Sequence, residues 1–148
     1  MASFRFVRDV AAPPDVVFDV LTDHRGYAEI TRARKTELER EGDPAPNGVG
    51  AIRVLHSVGP PLREEVLVYK PSRRFSYRVL SGVPVRDHVG TVELTPQDEG
   101  TKVTYAVRTM PTLPLGGAAV VAVVKLAIKQ LLNGIAAEAE RRAAVPNV

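Results

Sequence analysis

Apolar and polar residues alternate along most of the chain in short segments, and turn residues separate these segments. Ser3–Ala12 alternates phenylalanine and valine with arginine and aspartate, which is the period of a half-buried β-strand. Two prolines follow. Because proline and an acidic residue favour the first turn of a helix, Asp15–Thr22 is predicted to be a short helix. A second helical piece is predicted at His24–Ile30.

Six further strands are predicted after these helices. The breaks between them carry glycine, proline or aspartate, the residues that turns favour. Consecutive strands joined so tightly run antiparallel, so the pattern predicts a meander. The six strands are Arg32–Arg40, Val49–Ser57, Leu62–Tyr69, Arg73–Leu80, Val85–Thr95 and Thr101–Met110.

The last third of the chain, Pro114–Arg142, has apolar residues at helical spacing and predicts one long helix. A single helix after a meander packs across the sheet, which leaves room for a pocket. Small residues near the start of the helix fill little space, so either the backbones approach closely there or a cavity is left. Its first half is apolar on nearly all sides, more than one contact face requires. The longest apolar run, Leu113–Val124, is shorter than a bilayer-spanning helix, and Lys125 and Lys129 follow it. Stable membrane insertion is therefore not expected.

Length and composition narrow the possible functions. A chain of 148 residues is expected to form one domain over residues 1–148. The sequence has no cysteine, which excludes thiol chemistry and thiolate-bound metals, and its three dispersed histidines predict no metal site. Phosphate-loop and dinucleotide motifs are missing, so no cofactor is expected. The net charge is +3, but the basic residues are scattered and form no stripe, so no nucleic-acid partner is expected. The N-terminus is charged and lacks the apolar core of a signal peptide, which favours a cytoplasmic location.

Pairing arithmetic places four polar residues on the side of the sheet that faces the long helix. Closing the predicted hairpins brings Tyr77 opposite His88 and Arg53 opposite Glu65, in adjacent rows of one face. Burying polar groups without partners is costly, and each of these has a partner within the set. Two interpretations stay open. The groups form two self-satisfied buried pairs, or they line a pocket and orient a ligand.

The order of elements resembles the helix-grip superfamily, called SRPBCC or Bet v 1-like. It includes START lipid-transfer domains, the birch pollen allergen, plant abscisic acid receptors and bacterial polyketide cyclases or dehydrases. The segments that carry the resemblance are Ala12–Asp23, Gly48–Arg53, the Glu65 strand, Arg73–Val79 and Gly100–Tyr105. The resemblance implies an α+β helix-grip fold: a seven-stranded antiparallel curved sheet wrapped around the C-terminal helix, with two short helices after strand 1.

The resemblance also implies a cavity between the sheet and the C-terminal helix. Its ligand would be a hydrophobic small molecule such as a lipid or polyketide, and the protein would be a monomer or homodimer. The candidate ligand-binding residues, from the resemblance and from pairing arithmetic together, are Arg32, Arg53, Leu55, Ser57, Glu65, Tyr77, Val79, His88, Tyr105, Ala119, Val123 and Ala127.

Two alternatives to simple binding stay open. A cofactor-independent cyclase or dehydratase, of lyase or isomerase type, would use His88 and Glu65 as acid and base. Tyr77 or Arg53 would steady a developing enolate. A protein-interaction module would instead expose a large apolar patch on the outer face of the sheet. The residues predicted on that face are Ile52, Val54, His56, Val66 and Val68.

Overall fold

The N-terminal elements follow the alternation of the sequence. In the computed structural model, which describes residues 1–31 and 33–144, strand β1 is Ala2–Val10 and helix α1 is Pro14–Thr22. Pro14 takes the first helical position, where its missing N–H has no partner to lose. A 3-10 turn at His24–Gly26 leads into the short helix α2, Tyr27–Ile30.

Six strands and one long helix complete the chain. The elements are β2 Lys35–Arg40, β3 Ile52–His56, β4 Leu62–Lys70, β5 Arg74–Ser81, β6 Val85–Gln97, β7 Gly100–Pro111 and α3 Gly117–Ala144. All seven strands form one antiparallel sheet in the order β1-β7-β6-β5-β4-β3-β2. The meander runs from β2 to β7, and β1 pairs with β7. The predicted helix-grip α+β fold is confirmed.

Two strands start three residues later than predicted. β2 begins at Lys35 rather than Arg32, and Arg32 lies outside the described residues. β3 begins at Ile52 rather than Val49, because the preceding residues form a loop in which Asp43 and Val49 exchange backbone hydrogen bonds. Neither change alters the order of the strands.

The hydrophobic core fills the space between the sheet and the C-terminal half of α3. This half of the helix buries Ile128, Leu132 and Ile135 in a cluster shared with α1 and the inner face of the sheet. Strands β5 and β7 contribute Phe75 and Tyr105 to the same cluster. Each such side chain stabilises the fold by about 1.5–3 kcal/mol through burial. This half of α3 therefore anchors the helix.

The N-terminal half of α3 borders solvent instead. None of residues 117–127 is buried, and Val123 and Leu126 are 67% and 56% exposed. By length and composition alone α3 is apolar enough to cross a membrane, with a mean hydropathy of 1.6 in a window that is 17% buried. The helix is thus divided into an anchored half and an exposed apolar half.

Strand register decides which side chains face α3, and it differs from the prediction in two hairpins. Arg53 pairs with Glu64 rather than Glu65, so the β3–β4 register is shifted by one residue. Tyr77 lies opposite Gly90 rather than His88, a shift of two residues. Because side chains alternate between faces, a one-residue shift reverses the faces of β4, whereas a two-residue shift leaves His88 on the inner face.

Gly90 makes room for an aromatic ring. A Cβ atom on Gly90 would lie 2.5 Å from Cζ of Tyr77 and 2.6 Å from its hydroxyl oxygen. The Tyr77 ring therefore lies directly over the backbone of β6. From this position its hydroxyl hydrogen-bonds the hydroxyl of Tyr105 on β7.

Replacing Gly90 with alanine is expected to lower the free energy of unfolding by about 1–3 kcal/mol, because the Tyr77 ring has to move. Gly117→Ala is the matched control. A Cβ on Gly117 would lie 3.5 Å from Pro111, an ordinary contact, and alanine favours a helix. Urea denaturation measures both variants. A Gly90→Ala variant with the same free energy of unfolding as the wild type would contradict the described packing.

Candidate ligand-binding site

The candidate site lies on the inner face of the sheet, beneath the exposed half of α3. A row of polar side chains crosses this face from β3 to β7 and interrupts an otherwise apolar surface. Because the members come from five strands, the register of the sheet fixes their mutual positions. They are Arg53 on β3, Glu64 on β4, Tyr77 on β5, His88 on β6, and Tyr105 and Thr109 on β7, all of them buried.

Arg53 holds a buried positive charge at one end of the row. Its side chain is 2% exposed, and Nη2 donates a hydrogen bond to Oε1 of Glu64 at 3.2 Å. The guanidinium carbon lies 4.6 Å from the ring centroid of Tyr27, 5.0 Å from that of Phe75 and 5.7 Å from that of Tyr77. The carboxylate and the negative faces of these rings compensate the buried charge.

Glu65, which was predicted to face Arg53, lies on the outer face of β4. Its carboxylate accepts hydrogen bonds from Arg40 at 2.8 Å and from Arg78 at 2.7 Å. The prediction that Glu65 lines the cavity, as a ligand contact or as a catalytic acid, is therefore wrong. The one-residue shift between β3 and β4 exchanges the two adjacent glutamates, and Glu64 takes the inner position.

Tyr77 and Tyr105 form a hydrogen-bonded pair in the middle of the row. Their hydroxyls bond each other, and their rings meet edge to face with centroids 6.4 Å apart. Burial raises the pKa of both phenols, so both stay protonated at neutral pH. The pair therefore offers neutral hydrogen-bonding groups only.

His88 lies beside this pair, with its ring centroid 6.4 Å from that of Tyr77. Its Nδ1 forms a hydrogen bond with Oγ1 of Thr109 at 3.0 Å. The other ring nitrogen, Nε2, has no hydrogen-bond partner among the described residues. Within the described residues, the fully enclosed side-chain nitrogen and oxygen atoms without a partner are Nε of Arg8 and Nε of Arg53, and Nε2 of His88 is not one of them. Nε2 therefore borders accessible space.

Burial sets the protonation state of the ionisable groups in the row. It lowers the pKa of His88, so the imidazole is neutral at neutral pH. It raises the pKa of Glu64, and the Arg53 guanidinium opposes that shift. Glu64 is tied to Arg53, so the neutral His88 is the group best placed to accept or donate a proton.

Aliphatic side chains surround the polar row. Leu55, Leu62 and Val79 are half-buried on the sheet, and Val120 and Val124 are half-buried on α3. Val79 and Val124 also pack against the core cluster. The arrangement combines apolar walls with a few polar groups, which is typical of small-molecule sites.

Several predicted cavity residues lie elsewhere. Ala119, Val123 and Ala127 are on exposed sides of α3, so the prediction that they line the cavity is wrong. An α-helix turns about 100° per residue, which points these three away from the buried stripe that faces the sheet. Ser57 is exposed beyond the end of β3, and Arg32 lies outside the described residues.

Ion pairs cover much of the outer face of the sheet. Val66, predicted to be on that face, belongs to the core, while Ile52 and Val54 are buried beside charged neighbours. Within the described residues this face therefore lacks the apolar patch that a protein-interaction module requires. The pairs are Lys35–Glu37, His56–Glu37, Arg63–Glu39, Arg40–Glu65, Arg78–Glu65 and Arg74–Glu93.

Features outside the inner face are less suited to bind a ligand. A groove of about 550 Å³ lies on the outer face of β1, β6 and β7, between the exposed Arg5 and Arg108. Its floor is made of small or apolar side chains such as Ala106 and Val89, without a buried polar group. Among the described residues, no group of three or more histidine, aspartate or glutamate side chains could hold a metal ion.

Sequence reasoning missed three residues of the site. Glu64 was missed because it is adjacent to Glu65, and alternation alone cannot choose between neighbours. Thr109 shares its face with Tyr105 on β7, so its alternation did indicate an inward position. Tyr27 comes from α2, and strand pairing gives no information about a helix that packs over Arg53.

The fold agrees with the family of the chain. The chain belongs to the family described as polyketide cyclase / dehydrase and lipid transport, whose model matches residues 1–140. The solved structures that it resembles include one described as a START superfamily protein. A search of curated proteins found no significant match.

Three solved structures illustrate the likeness. A START superfamily protein from Mycobacterium smegmatis has a TM-score of 0.80 at 11% identity, over 95% of this chain and 98% of that one. Ara h 8.0201 has a TM-score of 0.75 at 14% identity, over 92% and 95%. The di-domain ARO/CYC StfQ from the steffimycin biosynthetic pathway has a TM-score of 0.77 at 18% identity, over 97% of this chain and 52% of that one. Identities this low show the shared fold alone.

Glu64→Gln is expected to lower the free energy of unfolding by about 3–5 kcal/mol, because it leaves the buried Arg53 charge without its carboxylate. Glu65→Gln removes the same charge from a surface network and is expected to cost at most about 1 kcal/mol. Chemical denaturation compares the two variants. The reverse ranking would show that Glu65 faces Arg53.

His88 is expected to make stability depend on pH. Its pKa is lowered in the folded state, so below the ordinary value of 6.5 the unfolded chain binds a proton that the folded one resists. The free energy of unfolding therefore falls as pH drops below that value, by at most about 1.4 kcal/mol per pH unit from this group. His88→Gln removes this contribution. Denaturation experiments between pH 7 and 5 measure how the free energy of unfolding depends on pH in the variant and in the wild type. The same dependence in both proteins would contradict the buried neutral imidazole.

Proposed function

We propose that the protein binds a hydrophobic small molecule, such as a lipid, a polyketide or a related metabolite, between the sheet and the exposed half of α3. The observation that carries the proposal is the state of His88. This imidazole is buried and neutral, with Nδ1 satisfied by Thr109 and Nε2 left bordering accessible space. A hydroxyl or carbonyl group of a ligand would bond Nε2, and its apolar part would lie against Val79 and Val124.

Family and fold support the same conclusion. The family description combines polyketide cyclisation or dehydration with lipid transport, and lipids and polyketides both combine hydrocarbon parts with carbonyl or hydroxyl groups. The steffimycin protein is described as a di-domain ARO/CYC from the steffimycin biosynthetic pathway, and the mycobacterial protein as a START superfamily protein. The polar row on an aliphatic inner face suits this class of ligand.

Val79→Phe is expected to weaken binding of an apolar fluorescent probe about ten-fold or more, because the larger side chain occupies the space that the ligand needs. Val7→Phe, on the exposed outer side of β1, is the matched control and should leave affinity unchanged. Probe titration gives the dissociation constants, and native mass spectrometry of the purified protein tests for a retained ligand. Equal affinity in both variants would refute the proposed location.

A second candidate function is catalysis, and the free Nε2 of His88 favours it. A neutral imidazole can take a proton from the acidic carbon between two carbonyl groups of a bound polyketone and return it to a departing hydroxyl. The hydroxyl of the neighbouring Tyr77–Tyr105 pair that is not used as donor within the pair would donate a hydrogen bond to the developing enolate oxygen. Glu65 takes no part in this version, and Glu64 is occupied by Arg53.

The variant His88→Gln distinguishes binding from catalysis. If the protein is an enzyme, His88→Gln keeps the affinity for an apolar probe but no longer converts a linear β-polyketone. The absorbance of the product measures this turnover. If the protein only binds, wild type shows no turnover with any such substrate, and His88→Gln weakens only ligands that carry a hydroxyl or carbonyl group.

A further inference from the structure

The exposed half of α3 continues into an apolar surface formed by three loops. The loops are residues 57–61, 82–84 and 112–116, at the end of the sheet where α3 begins. Their tips carry Val58, which is 93% exposed, Leu115, which is 89% exposed, and the exposed Val83 and Leu113. Together with Ala119, Ala122, Val123 and Leu126 of α3 they form what we call the apolar end.

The three loops are held against one another, so the apolar end is one surface. The backbone N–H of Thr112 donates to the carbonyl oxygen of Pro84 at 3.0 Å. A Cβ on Gly82 would lie 2.3 Å from the carbonyl oxygen of Pro61, so the first two loops touch through their backbones. Soluble proteins rarely expose a continuous apolar surface of this kind without a partner for it.

Charge around the apolar end has one sign along α3. The sequence contains no acidic residue between Glu99 and Glu138, whereas Lys125 and Lys129 lie on exposed flanks of α3 beside the apolar face. The three loops carry no charged residue at all. Arg86 follows the second loop and is exposed, with Asp87 as its one acidic neighbour in that stretch.

We infer that the apolar end docks onto the surface of a lipid bilayer that contains anionic lipids. Apolar loop tips and an exposed helix face enter the interfacial region of a bilayer, and flanking lysines meet anionic head groups. A second copy of the chain fits less well. A two-fold dimer places the apolar end against its own copy, and α3 offers no acidic residue before Glu138 with which Lys125 and Lys129 could pair.

The inference is tested with the whole protein and two kinds of vesicle, phosphatidylcholine alone and a phosphatidylcholine–phosphatidylserine mixture. Wild type is expected to co-sediment with the mixture and more weakly with phosphatidylcholine. The double variant Leu115→Asp/Val123→Asp is expected to lose binding to the mixture about ten-fold or more. The matched double variant Val7→Asp/Val49→Asp adds the same charge at half-exposed valines outside the apolar end and should keep binding.

Three results would overturn the inference. Wild type could fail to co-sediment with either vesicle, or the two double variants could bind equally well. The third result comes from sedimentation analysis without vesicles. If the wild type is a dimer, the double variant Leu115→Asp/Val123→Asp is a monomer, and neither binds vesicles, the surface belongs to a second copy of the chain. Probe affinity measured on the same variants keeps this test separate from the proposed ligand site, because docking can fail while the inner face still binds.

Discussion

The buried ion pair of Arg53 and Glu64 constrains the rest of the structure. A guanidinium that is out of water has to keep its carboxylate at 3.2 Å and its aromatic neighbours in place, and these neighbours come from β5 and from α2. The pair therefore fixes the register of β3 against β4 and also the position of the short helices over the sheet. A slip of β4 by one residue would set Arg63 against Arg53 or, with Glu65 in the inner position, turn Val66 out of the core.

The same register builds the site. Because Gly90 leaves room for the Tyr77 ring, the phenol reaches Tyr105, and His88 comes to lie beside both. Each polar group is thus positioned by its own strand and restrained by a neighbour on the next strand. Nε2 of His88 differs from the others in having no partner among the described residues, and for that reason the proposed chemistry centres on it.

The sequence contained enough information for the fold and for only part of the site. Alternation, proline and glycine positions and one long apolar helix were sufficient for element order, and Arg53, Tyr77 and His88 were placed correctly on the inner face. The predicted register was wrong at β4, because the geometry of the loop decides how the hairpin closes. The alternation of polar and apolar residues cannot distinguish Glu64 from Glu65. The helix residues Ala119, Val123 and Ala127 were placed by resemblance, and a resemblance does not fix the rotation of a helix about its axis.

The division of α3 into two halves has a consequence for how the protein can evolve. Its anchored half shares the core with α1 and the sheet, so changes there endanger folding. Its exposed half buries no residue, so most substitutions there leave folding almost untouched. Mutation can therefore vary the surface of this half, while selection for stability acts on the other.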